Sequence, residues 1–221
     1  MFKKLFSYLI PVNILKQKSS ISQSLEVTWT DGKLILDSQN TNYSYGSLQR
    51  ILRKGLKRIG FERINAMKKI LVLGVAGGSV IRILVDEINF KGQITGVEID
   101  AAIIEIANTY FHLHEIPNLE VIIDDAFAFV WKTKDQYDLI IIDIFQDTEM
   151  PDFLFEVDFV NRIRLLLNPK GFLLFNTMLI NAKQKQLNLD YVKHFDTQKY
   201  NVKNFRKMEE TNELILIESI L

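Results

Sequence analysis

Residues 69–79, KILVLGVAGGS, join an apolar run of strand length to a turn built from small residues. The run at 70–73 has the composition of a strand that is buried on both faces of a sheet. The turn at 74–79 leaves room for a ligand to approach the backbone, and its free N–H groups would lie at the start of the next helix. The stretch therefore predicts the first strand, turn and helix of a parallel α/β sheet.

The same rhythm of strands and helices continues along the chain. Further apolar runs predict strands, each buried on both faces, at 94–97, 119–123, 139–142 and 172–175. Segments with helical periodicity lie between the strands, at 79–89, 101–113, 126–132 and 156–167. Such alternation implies right-handed crossovers and a doubly wound, Rossmann-like α/β sheet that is mostly parallel. Residues 202–208 and 214–220 depart from it and predict a C-terminal antiparallel hairpin.

The region before residue 66 has a different pattern and predicts a small N-terminal segment, residues 1–65, outside an α/β body at 66–221. The chain begins with a stretch that predicts a short amphipathic helix. Residues 25–37 alternate apolar and polar around Asp31-Gly32, which is a strong hairpin signal. A basic helix follows, and its apolar face carries Ile51, Leu52, Leu56 and Ile59.

The composition excludes several classes of function. The 27 Lys and Arg residues balance 27 Asp and Glu, so no global field attracts nucleic acid or an acidic membrane, and we expect neither as a partner. The absence of Cys excludes a disulfide framework, a thiolate zinc site and a cysteine nucleophile. His112 and His114 would point apart on a helix, so we predict no metal site. The lack of Cys and of targeting signals predicts a cytoplasmic protein.

The strand ends carry the residues that are candidates for ligand binding, because ligands of doubly wound sheets bind outside the carboxyl ends of the strands. The first turn does not have the G-x-G-x-x-G spacing, since Ala76 and Ser79 occupy the second and third glycine positions. Glu98 ends the second strand, 24 residues after Gly74. A carboxylate at that point can accept both hydroxyls of a ribose, in nicotinamide enzymes and in adenosylmethionine enzymes alike.

Carboxylates also follow the other strands. Asp100 is predicted to be the N-cap of the helix after the second strand. Asp125, after the third strand, is either an N-cap or an acceptor for the exocyclic amine of adenine, with Phe127 or a neighbour packing on the ring. Asp143 follows three isoleucines at the end of the fourth strand. A charge there would be costly unless it faced a polar cleft.

The ordered motifs ILVLGVAGGSVIRIL, ITGVEIDAAIIEIANTYF, LEVIIDDAFAFV, YDLIIIDIF and LLNPKGFLLFN resemble the spermidine synthase family and, more broadly, class I adenosylmethionine-dependent methyltransferases. The match runs in register over residues 69–178. It implies S-adenosylmethionine, or its decarboxylated form, as the ligand, and by analogy a possible homodimer. It also implies ligand contacts from Gly74, Ala76, Gly77 and Gly78 to the methionine part, from Glu98 to the ribose, from Asp125 and Ala126 to the adenine, and from Asp143 at the reaction face.

Departures from the family pattern bear on the reaction. Members that transfer an aminopropyl group usually have an Asp in the turn that corresponds to residues 74–79, here called the glycine turn, where this chain has Gly77. They also have a second Asp at the position of Gln146, whereas here the acid falls one place later, at Asp147. Tyr45 is kept, although Gly46 and Ser47 replace polar and acidic residues of the synthases.

The missing acid in the glycine turn favours intact adenosylmethionine, because an Asp there would repel its carboxylate. We therefore predict methyl transfer to an unidentified small-molecule or protein acceptor, with Asp143, Asp147 and Tyr45 as candidate bases. Aminopropyl transfer to a polyamine is the first alternative, and a non-catalytic protein that binds an adenosyl ligand is the second.

Overall fold

A computed structural model describes residues 2–38, 42–44, 46–145 and 149–221 and contains two β-sheets. The N-terminal sheet consists of β1 (Val12–Gln17), β2 (Leu25–Thr30), β3 (Lys33–Ser38) and β4 (Asn42–Ser44). The larger sheet consists of β5 (Lys69–Leu73), β6 (Gln93–Glu98), β7 (Leu119–Ile123), β8 (Tyr137–Ile142), β9 (Leu167–Met178), β10 (Tyr200–Met208) and β11 (Asn212–Ser219).

The helices are α1 (Phe2–Phe6), α2 (Gly46–Ile59), α3 (Phe61–Asn65), α4 (Ser79–Arg82), α5 (Ala101–Phe111), α6 (Ala126–Lys132), α7 (Val157–Leu166) and α8 (Ala182–Lys193). A π-helical segment, Ile83–Glu87, continues α4, and short 3₁₀ segments occupy Leu113–Glu115 and Asp152–Phe155. Within the described residues, no helix is both long and apolar enough to cross a lipid bilayer.

The strand order of the larger sheet is β10-β11-β9-β8-β5-β6-β7. Strands β5 to β9 pair in parallel, whereas β11 pairs antiparallel with both β9 and β10. This is the predicted α/β fold with its C-terminal hairpin. The first strand, β5, lies between β6 and β8, so the strand order reverses at the carboxyl end of β5. That reversal is where a doubly wound sheet binds its ligand.

Helices cover both faces of the large sheet. One face packs against α2, α4 and α5, and the predicted apolar face of α2 is confirmed, since its four residues are all buried there. The other face packs against α6, α7 and α8. Burying each such side chain contributes about 1.5–3 kcal/mol, so these two layers hold the strand ends in fixed positions.

Three predictions about elements need correction. Strand β7 is not buried on both faces: within the described ranges it is an edge strand paired only with β6, and Ile123 is 48% exposed. The N-terminal hairpin at 25–37 is confirmed, but it does not stand outside the body, because Leu25 and Val27 share a core with Ile103 and Ile106 of α5. The predicted N-terminal helix is present as α1, but it has no buried apolar face, because its apolar side chains face solvent.

Candidate functional site

The glycine turn lies between β5 and α4 and contacts the end of β8. Gly74 has a φ of 89°, and its N–H donates to the carbonyl of Val97 at 2.9 Å. A Cβ added at Gly74 would lie 2.2 Å from the carbonyl oxygen of Asp143. Only glycine allows both this backbone conformation and this close approach. The turn therefore brings the ends of β5, β6 and β8 together.

Ala76 adopts a left-handed backbone in the same turn, with a φ of 46°. This is the position where the dinucleotide motif has its second glycine, and the conformation costs an L-residue about 1–2 kcal/mol. Backbone strain of this kind persists only where surrounding contacts hold it. Here the N–H of Ala76 donates to the carboxylate of Glu98 at 3.0 Å.

Glu98 is 8% exposed at the end of β6, and its carboxylate binds backbone amides. One oxygen, Oε2, accepts from Val75 at 3.1 Å and from Ala76, while Oε1 accepts from Asp100 at 3.1 Å. Burial raises the pKa of Glu98, although these hydrogen bonds oppose the rise. Glu98 thus ties the end of β6 to the glycine turn. Its role toward a ribose stays a prediction.

Two further acids cap helices. Asp100 accepts from the N–H of Ala102 at 3.0 Å, which confirms its predicted place as the N-cap of α5. The hydroxyl of Ser19, from the segment after β1, also hydrogen-bonds to Asp100. Asp125 caps α6 by accepting from Ala128 at 2.9 Å. This bond uses one oxygen of Asp125, so the predicted contact of Asp125 and Ala126 with adenine stays a prediction.

Phe127 belongs to an aromatic cluster beside these caps. Its ring lies 5.7 Å from that of Phe153, in an edge-on arrangement, and 6.4 Å from that of the buried Phe159, in a stacked one. The side chain is 36% exposed. Whether Phe127 also packs on a ligand stays a prediction.

Asp143 follows β8 directly and is mostly buried. Its Oδ1 accepts from the amide of Asn176 in β9 at 2.9 Å. Burial raises the pKa of Asp143 to about 6; the Asn176 hydrogen bond lowers it and the negative charge of Glu98 raises it further. Sequence reasoning missed Asn176. The signal was a polar residue directly after the buried run FLLF at 172–175.

The other two candidate bases, Tyr45 and Asp147, lie outside the described residues, as does Gln146. A pocket of about 370 Å³ is formed by residues from the segments that follow β8 and β9. It is lined by Glu149, Met150, Pro151, Asp152, Asn181, Lys183, Gln184 and Leu187. Across the part of the chain that the structure describes, no three His, Asp or Glu residues are grouped to hold a metal ion.

A family model, the spermine/spermidine synthase domain, matches residues 50–209. Among curated proteins, the chain is 29% identical over 184 residues to a Bifidobacterium longum protein named "Probable polyamine aminopropyl transferase", covering 80% of this chain and 40% of that protein. It is 25% identical over 160 residues to an "eEF1A lysine and N-terminal methyltransferase homolog" of Drosophila pseudoobscura pseudoobscura, covering 68% of this chain and 23% of that protein. The chain therefore spans less than half of either relative.

Solved structures share the fold. A spermidine synthase in complex with the transition state analogue AdoDATO aligns with a TM-score of 0.71 and 19% identity, over 94% of this chain and 73% of that one. Human methyltransferase-like protein 13 in complex with SAH aligns with a TM-score of 0.66 and 22% identity, over 80% of this chain and 83% of that one.

Proposed function

Because this chain belongs to the family of the spermine/spermidine synthase domain, we propose that it is a transferase that uses S-adenosylmethionine as its group donor. One observation carries the proposal: the glycine turn, Glu98 and Asp143 meet at the point where the strand order reverses, joined by the Glu98 hydrogen bonds and by the contact of Gly74 with Asp143. Two structural neighbours were solved with adenosyl compounds, SAH and AdoDATO, which supports the same class of ligand.

Methyl transfer is the reaction that the glycine turn supports. When bound, adenosylmethionine supplies an activated methyl group on its sulfonium. The uncharged Gly77 and the N–H groups at the start of α4 suit the carboxylate of the intact donor. The chain's main task is then to align the acceptor in line with the methyl group. Asp143 can take the acceptor's proton, because its raised pKa makes it a stronger base than an ordinary carboxylate.

Aminopropyl transfer from the decarboxylated donor is the second candidate. It is favoured by the name of the Bifidobacterium longum relative. The pocket after β8 and β9 also offers Glu149 and Asp152, and carboxylates attract the ammonium groups of a polyamine. The same pocket contains Lys183, which opposes such a ligand.

Calorimetry with the two donors separates these reactions. We expect tighter binding of intact adenosylmethionine than of its decarboxylated form. Gly77→Asp should reverse that preference and shift the ratio of the two dissociation constants by about tenfold or more, since it places a negative charge in the turn. Gly77 has no positive φ angle, so an Asp there does not force a left-handed backbone. Gly77→Asn is the matched control, because it adds the same volume without the charge.

Each outcome has a distinct meaning. Failure of the parent protein to bind adenosylmethionine, SAH or the decarboxylated donor would refute the proposal. Tighter binding of the decarboxylated donor by the parent, with product formed from putrescine, would select aminopropyl transfer. Saturable binding without turnover on amine, protein or small-molecule acceptors would identify a non-catalytic protein.

A further inference from the structure

We propose that Asn176 and Asn212 are positioning residues, which fix the direction in which the carboxylate of Asp143 faces the cleft. The role of Asp143 as a base rests on the proposed function. The hydrogen-bond chain that holds Asp143 does not, and it can be tested without any transfer reaction.

The chain of hydrogen bonds runs from the C-terminal hairpin to the candidate base. The hydroxyl of Thr211 donates to Oδ1 of Asn212 at 3.2 Å. The amide of Asn212 donates to Oδ1 of Asn176 at 3.1 Å, and the amide of Asn176 donates to Asp143 at 2.9 Å. Asn176 is 0% exposed and Asn212 is 7% exposed. Water is therefore excluded from the middle of this series of hydrogen bonds.

The chemistry of the groups fixes the direction of each bond. An ionised carboxylate only accepts, so Asn176 must turn its NH₂ group toward Asp143. Its own oxygen then faces Asn212, which must donate. Without Asn212, that buried oxygen would lose its partner, and the orientation of the Asn176 amide would be held by its bond to Asp143 alone. Asn212 thus acts on Asp143 through Asn176.

The support comes from rigid elements. Asn176 is the register partner of Leu214, and Asn212 is the register partner of Met178, so both amides lie on the paired strands β9 and β11. Side chains held by strands are placed more accurately than side chains on loops. The sheet thereby fixes Asp143, whose own position lies just beyond the end of β8.

The two amides are also neutral, which suits a base. A basic side chain in their place would stabilise the carboxylate and weaken it as a base. Among the described residues, the charged group that acts on Asp143 is Glu98, and its negative charge raises the pKa. The amides therefore orient the carboxylate at a smaller loss of proton affinity than a basic side chain would cause.

Titration of the Asp143 carboxyl carbon by NMR, in the free protein, tests the proposal. We expect Asn176→Ala to raise the pKa of Asp143 by about one unit, a tenfold gain in proton affinity, because the ionised form loses its donor. Asn212→Ala should raise it in the same direction by a smaller amount. Asn188→Ala is the control, since Asn188 is an equally buried amide that bonds to Glu213 instead.

The outcome for Asn212→Ala decides the case, because this variant leaves the residue that touches Asp143 in place. If it destabilises the protein as Asn188→Ala does but leaves the Asp143 titration at the parent value, Asn212 is structural only and the proposal is wrong. Failure of the protein to bind adenosylmethionine would refute the proposed function and leave this titration result unchanged.

Discussion

Replacing Asp143 with Asn should stabilise the protein above pH 6. Burial raises the pKa of Asp143 from 3.8 to about 6, which means that the folded state disfavours the ionised carboxylate. Each pKa unit corresponds to about 1.36 kcal/mol, so the shift amounts to about 3 kcal/mol. The side chain is partly exposed, and solvent screening reduces this figure, so we expect a gain of about 1–3 kcal/mol. Asn keeps an oxygen that can accept from Asn176.

The gain should depend on pH in a defined direction. Below the unfolded pKa of 3.8 the carboxyl is protonated in both states, so Asp143 costs nothing there. Between pH 3.8 and about 6 the unfolded state releases its proton while the folded state keeps it, so the parent protein loses stability across this range, and the loss is complete above pH 6. The variant, which does not ionise, should therefore match the parent near pH 4 and exceed it at pH 8.

Urea unfolding at both pH values measures the difference, and Asp138→Asn is the matched control on the same strand. Burial raises the pKa of Asp138, but hydrogen bonds from the backbone of Lys68 and the side chain of Asn168, both at 2.7 Å, bring it below its ordinary value. Asp138→Asn should therefore destabilise the protein at pH 8, and the loss should shrink as the solution is acidified. A loss of stability at pH 8 in Asp143→Asn, or a gain that is the same at pH 4, would refute the reasoning.

Two further substitutions test other parts of the structure. Tyr191→Phe should raise the free energy of unfolding by up to about 1 kcal/mol, because the hydroxyl of Tyr191 is buried with no hydrogen-bond partner among the described residues. The ring contact with Phe175, at 4.9 Å between centroids, is kept. A variant that is less stable in urea unfolding would contradict this. Glu98→Ala should weaken binding of SAH by about 1–3 kcal/mol in calorimetry, while the exposed control Glu105→Ala should not. The parent protein should bind 5′-methylthioadenosine more tightly than its 2′-deoxy analogue if Glu98 binds the ribose, and this difference in affinity should largely disappear in Glu98→Ala. An equal difference in parent and variant would assign Glu98 to holding the glycine turn.

Local sequence was enough to predict the elements that lie between two layers of helices. Buried parallel strands such as β5 and β8 read as continuous apolar runs because both of their faces pack. The same rule failed for β7, since nothing in the run LEVII reveals that this strand lies at the edge of the described sheet, beside β6. The helix α8 gave no clear signal either, because most of its surface is polar and its few buried residues are themselves polar or aromatic.

The candidate site followed the same division. Gly74, Glu98 and Asp143 were found because each lies at or directly after the end of a strand, and the topology rule gathers strand ends at one edge of the sheet. Asn212 could not be found in this way. It lies after the polar turn of the C-terminal hairpin, and it reaches the site only because β11 inserts between β9 and β10, next to Asn176. The pairing of distant strands, rather than any local pattern, created that contact.

The acids at the carboxyl ends of β6 and β8, Glu98 and Asp143, also indicate the charge of the ligand that this edge of the sheet suits. Burial raises the pKa of both Glu98 and Asp143, and the negative charge of Glu98 adds to the rise at Asp143. Among the described residues, no salt bridge joins either acid to a basic side chain. A nearby cation would stabilise the ionised form of both and so recover part of the free energy that their burial costs. An anion would do the opposite. The edge therefore favours a positively charged centre, such as the sulfonium of the proposed donor, and it should hold the neutral thioether of SAH less tightly.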